Sequence, residues 1–362
     1  MREGRLQRSV LHFITAIPLD VTLGSGCYVG TTTLIEGIRQ LGTEISLVTP
    51  QTVTPVYTLT RLLFNESLRW NFHGEPGDLA VGIDVDGYSI AGRKKSLPHI
   101  ACIKGVLGDA VRFESGATRA SLAFQSSLEK KHAQRADLVL TVSKYCAARL
   151  QDLYGTNHAV VIPELIDLES WGKLFGANPG SPDPKKFTVL SVCRFYPRKR
   201  MEVLIRAASL LRDRIPPLEI RIVGSGPESA KLLALSRDLR LETVVNWLGN
   251  LDSGSLAAEY NSTDIFCLPS VQEGFGIVFL EAMAAGKPIV AARAAAVPEV
   301  VRNGLLVEPE NPEALAEAIY SLYRNPELRH SLGTAGARDV KEFEMRRVAA
   351  QFLAEVRKLT PR

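Results

Sequence analysis

TVLSVCRFYPRKRMEVLIRAASLLRDRIPPLEIRIV, residues Thr188 to Val223, reads as a strand, a helix and a second strand in succession. Its ends, Thr188 to Val192 and Glu219 to Val223, are short runs rich in β-branched residues, while Met201 to Arg212 spaces its apolar residues as a helix does. Short apolar runs alternating with longer amphipathic segments are the pattern of parallel strands joined by crossover helices. The alternation continues downstream with helix Pro227 to Asp238, strand Val244 to Leu248, a helix near Gly254 to Tyr260 and strand Ile265 to Leu268. Helix Ile277 to Ala285, strand Pro288 to Ala292 and helix Pro312 to Tyr323 complete it. Upstream, strands read at Val10 to Ala16, Glu44 to Val48, Leu79 to Ile83, His99 to Ile103, Leu138 to Val142 and Ala159 to Ile162, with helices notably at Gly30 to Leu41 and Ser121 to Arg135. Between the two series, WGKLFGANPGSPDP, Trp171 to Pro184, gathers Gly, Asn, Pro, Ser and Asp without periodicity and reads as a linker.

The fold class is therefore α/β: a Rossmann-like domain over 1–170, a linker over 171–184 and a second Rossmann-like domain over 185–337. A last helix within 338–362, running from Arg338 to about Leu359, is expected to pack back on the first domain. Open parallel sheets bind ligands at the carboxyl ends of their strands, so two such sheets facing one another would make an interdomain cleft.

Composition narrows the function. A chain of 362 residues fits about two domains at roughly 150 residues per core. With 46% hydrophobic and 23% charged residues it is an ordinary globular chain, neither disordered nor fibrous. A net charge of +4 is too small for a nucleic-acid-coating surface, though a local anionic ligand is compatible with it. The cysteines Cys27, Cys102, Cys146, Cys193 and Cys267 are odd in number, widely spaced and lack a CxxC pair, so a disulfide framework or cysteine zinc site is not indicated. The histidines show no HExxH spacing. The amino terminus lacks a leader pattern, and no apolar stretch reaches the roughly 18 residues that span a bilayer. A cytoplasmic protein is expected. Arginine-rich patches near the start and from Arg198 to Arg214 leave peripheral contact with the inner face of a membrane open.

Four stretches could carry chemistry. In EGFGIVFLEAMAAGKP, Glu273 to Pro288, Gly274 and Gly276 flank Phe275 before a helix, so backbone N–H groups can face an anion or sugar hydroxyls. Glu273 lies in that loop, and Glu281 lies about one turn into a helix otherwise made of Ile277, Val278, Phe279, Leu280, Ala282 and Met283. A carboxylate there is costly unless it has partners. In VCRFYPRKR, Arg194 ends a strand and Lys199 opens the next helix, a guanidinium and an ammonium suited to a diphosphate. IVGSGPES places Gly224 and Gly226 in a strand-to-helix turn, and LGSGCYVGTTTL places Gly24, Ser25, Gly26 and Gly30 before the first helix. This last is not a dinucleotide fingerprint, because Pro18 to Leu23 intervene after the strand and the second strand does not end on an acid. Asp84 and Asp86, in GIDVDGY, could hold a divalent ion or serve turn chemistry.

The arrangement resembles glycosyltransferase family 4, retaining enzymes of the GT-B fold. The resemblance is densest from Val189 to Pro309, through VCRFYPRKR, IVGSGPES, WLGNL, LPSVQEGFGIVFLEAMAAGKPIVA and VPEVV, and looser earlier, through ADLVLTVSKY and VIPELID. It implies transfer of a hexosyl group from a UDP- or GDP-sugar to a glycan, lipid-linked or small-molecule acceptor, with retention, without an essential metal and with no cofactor beyond the donor. It implies that Arg194 and Lys199 hold the donor diphosphate, Glu281 the ribose hydroxyls, and Glu273 the transferred sugar with the backbone N–H groups of Gly274, Phe275, Gly276 and Ile277, and that Val278 also lines the donor. Gly26 would approach the phosphates from the first domain, Gly226 would line the donor, and Leu248 to Leu251, with Asn250 and Leu251, would border the nucleobase.

The sequence departs from the family in places. Many relatives carry a histidine after the fourth strand of the first domain, where ACIKGVLGD has Lys104, an acceptor-side candidate that could bind acceptor or donor charge or be structural. The usual Pro-Asn-Gly-Val-Asp turn is Pro163, Glu164, Leu165, Ile166, Asp167, and the Gly-Gly before Pro-Glu is Ala295, Ala296. A non-catalytic sugar-nucleotide-binding protein, or a GT-B phosphorylase or epimerase, would use similar diphosphate contacts.

Overall fold

The structure, a computed structural model, describes residues 9–16, 26–93 and 97–359. The chain divides into two compact units, one formed by the chain through Leu165 together with the residues from Met345 onward, the other by Ile166–Glu344.

The first unit holds strands β1 (Leu11–Ile14), β2 (Ile45–Val48), β3 (Leu79–Ile83), β4 (His99–Ile103), β5 (Leu138–Thr141) and β6 (Ala159–Val161). They form one parallel sheet in the order β2-β1-β3-β4-β5-β6. Helices α1 (Gly26–Gln40), α2 (Tyr57–Asn71), the single turn α3 (Leu107–Ala110), α4 (Gly116–Arg135) and α5 (Lys144–Tyr154) connect them. β3 and β4 are buried at every position, as strands covered on both faces must be.

The second unit opens with helix α6 (Leu168–Ala177), where a linker was expected. Asp167 caps it by accepting from Ser170 N at 2.9 Å, and Trp171 and Phe175, one turn apart, share a face. The glycines Gly172 and Gly176 conceal that periodicity in the sequence. Only residues 178–186 between α6 and the next strand lack helix and strand. Strands β7 (Phe187–Val192), β8 (Leu218–Val223), β9 (Val245–Gly249), β10 (Ile265–Leu268), β11 (Ile289–Ala292) and β12 (Leu305–Val307) follow, pairing in parallel as β12-β11-β10-β7-β8-β9. Their helices are α7 (Met201–Leu211), α8 (Ser229–Asp238), α9 (Ser253–Ser262), α10 (Ile277–Ala284), the single turn α11 (Val297–Val300), α12 (Pro312–Arg324) and α13 (Pro326–Asp339).

The stretch read as one helix from Arg338 is two. Arg338 belongs to α13, a 3-10 turn at Val340–Phe343 follows, and extended Glu344 (ψ 137°) breaks the path before α14 (Met345–Val356). α14 buries Met345, Val348, Ala349, Phe352 and Leu353 against Leu34, Ile35 and Ile38 of α1, inside the core of the first unit. Gly37 permits this approach, because a Cβ there would lie 2.8 Å from Met345 Cγ.

Candidate active site

In the second sheet the strand order reverses between β7 and β10, which are hydrogen-bonded neighbours whose crossovers leave in opposite directions. The carboxyl ends of two such strands open the crevice where doubly wound sheets take their ligands. The β7 end carries Arg194 and Lys199, and the β10 end leads to Glu273.

Lys199 closes a 3-10 turn, Pro197–Lys199, and its Nζ donates to Glu273 Oε1 at 2.5 Å. Both side chains are nearly buried, 12% and 8% exposed. The loops are locked together by Val271 N donating to Arg198 O at 3.0 Å. Burial alone would raise the Glu273 carboxyl, but Lys199, and then Arg198, outweigh it and hold the group below the ordinary carboxylate range. Arg194 is half-buried and its guanidinium has no hydrogen bond or ion pair with the described residues. The connection after β7 thus carries a guanidinium without a partner among the described residues and, five residues on, an ammonium already matched by a carboxylate, groups of the kind that bind a diphosphate.

Two turns bring backbone to this edge. Gly276 precedes α10 at φ +95°, a conformation that disfavours side chains, and it offers no capping group, so the first N–H groups of α10 stay without intrahelical partners. Phe275 is buried and packs edge-on against Phe343 at 5.4 Å, leaving its backbone as the usable part; Ile277 is buried and Val278 half-buried. Gly226 lies against β7's extension, where a Cβ would come 2.6 Å from Phe195 N. Beside it, Ser225 Oγ donates to Asn250 Oδ1 at 3.2 Å, joining the loops after β8 and β9; Asn250 is exposed and Leu251 half-buried.

Glu281 has no hydrogen bond or ion pair with Lys199 or Glu273. It is 7% exposed on α10 and accepts from the Tyr260 hydroxyl at 2.9 Å. Burial pushes its carboxyl up to about 7, against the opposing pull of that hydrogen bond. Tyr260 had no sequence signal beyond marking the end of a helix, because its partner is 21 residues away and is met only in the folded sheet.

The first unit holds the other candidates. Gly26 opens α1 and is exposed; Gly24, Ser25 and Pro18 to Leu23 lie outside the described residues. Lys104 is buried, its Nζ donating to Glu164 Oε2 at 2.8 Å, with both side chains 5% exposed. The glutamate in the altered turn is thus the partner of the lysine in the histidine's place. Asp86 is fully buried and accepts from Arg61 Nε at 2.9 Å, Asn65 Nδ2 at 2.9 Å and Ala16 N at 2.7 Å, while Asp84 accepts from Lys104 N at 2.8 Å and Cys27 Sγ at 3.3 Å. The pair is spent on holding the loop, with Asp84 at φ +52°, and fits a turn rather than a metal site. No cluster of three metal-ligating side chains occurs among the described residues.

Two six-stranded parallel sheets, the second edged by these loops, define the GT-B glycosyltransferase fold. Residues 177–339 match the family described as glycosyl transferases group 1. Sucrose-phosphate synthase from Thermosynechococcus elongatus shares the architecture with a TM-score of 0.80 over 97% of this chain and 99% of that one, at 22% identity. Among curated relatives, the D-inositol 3-phosphate glycosyltransferase of Pseudarthrobacter chlorophenolicus is 34% identical over 53% of this chain and 48% of its own length. The GDP-mannose-dependent alpha-(1-6)-phosphatidylinositol monomannoside mannosyltransferase of Mycolicibacterium smegmatis is 30% identical over 56% of each. The chain spans about half the length of the curated relatives it matches.

Proposed function

We propose that the protein is a retaining glycosyltransferase of family 4 that moves a hexosyl group from a UDP- or GDP-sugar to a hydroxyl of a glycan, lipid-linked or small-molecule acceptor. The names of the relatives favour an inositol-type polyol among those acceptors. The observation that carries the reading is the Lys199–Glu273 ion pair at the switch point of the second sheet, on the connection that also carries Arg194, whose side chain has no hydrogen bond or ion pair with the described residues.

Cleaving the bond between sugar and nucleotide builds negative charge on the leaving diphosphate. Arg194 and Lys199 are preorganised cations aimed at that charge, where they stabilise the transition state more than the ground state. Glu273 keeps Lys199 in place and, being ionised, accepts from sugar hydroxyls, while the free N–H groups at the start of α10 donate to them. Glu281 takes the ribose hydroxyls, and the loop at Asn250 and Leu251 borders the base. No divalent metal is needed, because the lysine and arginine supply the positive charge; activity is expected to survive a chelator.

The test is release of nucleotide from a panel of UDP-, GDP- and ADP-sugars, with and without polyol acceptors. One donor should be turned over, with acceptor-dependent product of unchanged anomeric configuration. Arg194→Ala should lower turnover by about 10² to 10³, the usual cost of one preorganised donor. Near-normal turnover in that variant, or binding with no transfer to any acceptor, would contradict the assignment.

A further inference from the structure

Tyr260 is the one side chain among the described residues that hydrogen-bonds to Glu281, donating to Oε2 at 2.9 Å. It is fully buried on α9. Phe266 tilts against its ring at 5.9 Å, and Trp171 of α6 meets it edge-on at 5.9 Å, so the phenol is clamped on two sides. Burial, reinforced by the neighbouring carboxylate, keeps the hydroxyl protonated and therefore a donor. Glu281 Oε1 takes no hydrogen bond from the described residues.

We propose, resting on the donor reading above, that Tyr260 is the positioning residue for Glu281: it holds Oε2 and presents the remaining acceptor sites of the carboxylate to the ribose hydroxyls. An ionised carboxylate can accept from two vicinal hydroxyls, whereas a protonated one gives up an acceptor site to its own proton. Among the described residues no cation and no second acid acts on Glu281; the opposing influences are its burial and the tyrosine's hydrogen bond. Removing the phenol oxygen therefore leaves less of the carboxylate ionised at neutral pH and its side chain unanchored.

The experiment is calorimetric titration of UDP-glucose and of GDP-mannose, whose diphosphates lack the terminal phosphate that titrates at about pH 6, into the wild-type, Tyr260→Phe and Glu281→Gln chains from pH 5.5 to 9.5. Wild-type affinity should rise with pH through a midpoint near 7 and then level. Tyr260→Phe should move that midpoint up by about one unit, weakening binding at pH 7 by up to about tenfold and recovering much of it at pH 9. Glu281→Gln should bind more weakly with no midpoint, and adding Tyr260→Phe to it should change nothing further.

A Tyr260→Phe profile with the wild-type midpoint, or one lowered equally at every pH, assigns the tyrosine to packing and overturns the proposal while the donor reading stands. Wild-type affinity in Glu281→Gln, or no binding of either sugar nucleotide, removes the ribose contact and the donor reading with it. Phenylalanine keeps the ring contacts. Were the variant unstable, Trp171→Phe, which loosens the clamp from its far side, should move the midpoint the same way by less, and an unmoved midpoint there would also count against the proposal.

Discussion

Each unit of this protein places a buried lysine–glutamate pair at the carboxyl edge of its sheet, Lys104–Glu164 at 2.8 Å in the first and Lys199–Glu273 at 2.5 Å in the second, yet the two carboxyls are shifted in opposite directions. Burial wins at Glu164 and raises it, with one lysine opposing burial and Asp84 adding to it. At Glu273 the cations win, because Arg198 joins Lys199. On the proposed function, the first pair braces the fold, whereas at the second a carboxylate outnumbered by cations leaves positive charge for an anion. A short ion pair is thus not itself the mark of a site; the local balance of charge is.

The contrast is open to test. Its largest expected effect is Lys104→Ala, which strands a buried glutamate and should cost about 3–5 kcal/mol of stability in denaturant unfolding. Lys199→Ala, by contrast, should fold and lose about 10² to 10³ in turnover, or about 2.7–4 kcal/mol of transition-state stabilisation. If the two variants exchanged phenotypes, the contrast would be reversed.

A third prediction concerns pH. The Glu281 carboxyl titrates near 4.5 in the unfolded chain and at about 7 in the native one. Between those values the native state holds a proton that the unfolded state has lost, so this group's stabilisation falls as pH rises through the window and is constant outside it. Wild-type stability should fall relative to Glu281→Gln by about 3 kcal/mol between pH 4.5 and 8. Parallel curves would show the carboxyl to be unperturbed. The smallest effect belongs to Asp167→Ala, which uncaps α6 and should cost about 1 kcal/mol. No change would mean that α6 adds nothing to the unit.

Legibility in the sequence differed in the same way between the two units. Strands buried on both faces announce themselves as unbroken apolar runs, and Leu79–Ile83, His99–Ile103 and Ile265–Leu268 stand in the structure over the expected residues. The helix that follows the two-glycine loop was equally plain, expected over Ile277 to Ala285 and found at Ile277–Ala284, because its residues are apolar almost throughout. What escaped depends on tertiary partners. No bounds could be read for α2, which buries Arg61 and Asn65 against Asp86 beside Phe64 and Leu68 while exposing Leu59, Leu63 and Trp70, a pattern that blurs the usual amphipathic contrast. The buried His99–His132 contact, Nε2 to Nε2 at 2.7 Å, joins residues 33 apart. His132 Nδ1 faces the Asp84 carbonyl, an acceptor, so His132 carries its proton there and His99 donates across the pair. Lys104 was visible as a departure, but its partner Glu164 could be found only by folding the sheet.

The central claim is that the edge of the second sheet grips the diphosphate of a nucleotide donor. Its most direct test compares UDP and GDP with UMP and GMP by calorimetry in the wild-type and Arg194→Ala chains. One diphosphate should bind at least tenfold more tightly than its monophosphate, and Arg194→Ala should erase most of that difference. Equal affinity for mono- and diphosphate in the wild-type chain would contradict the claim.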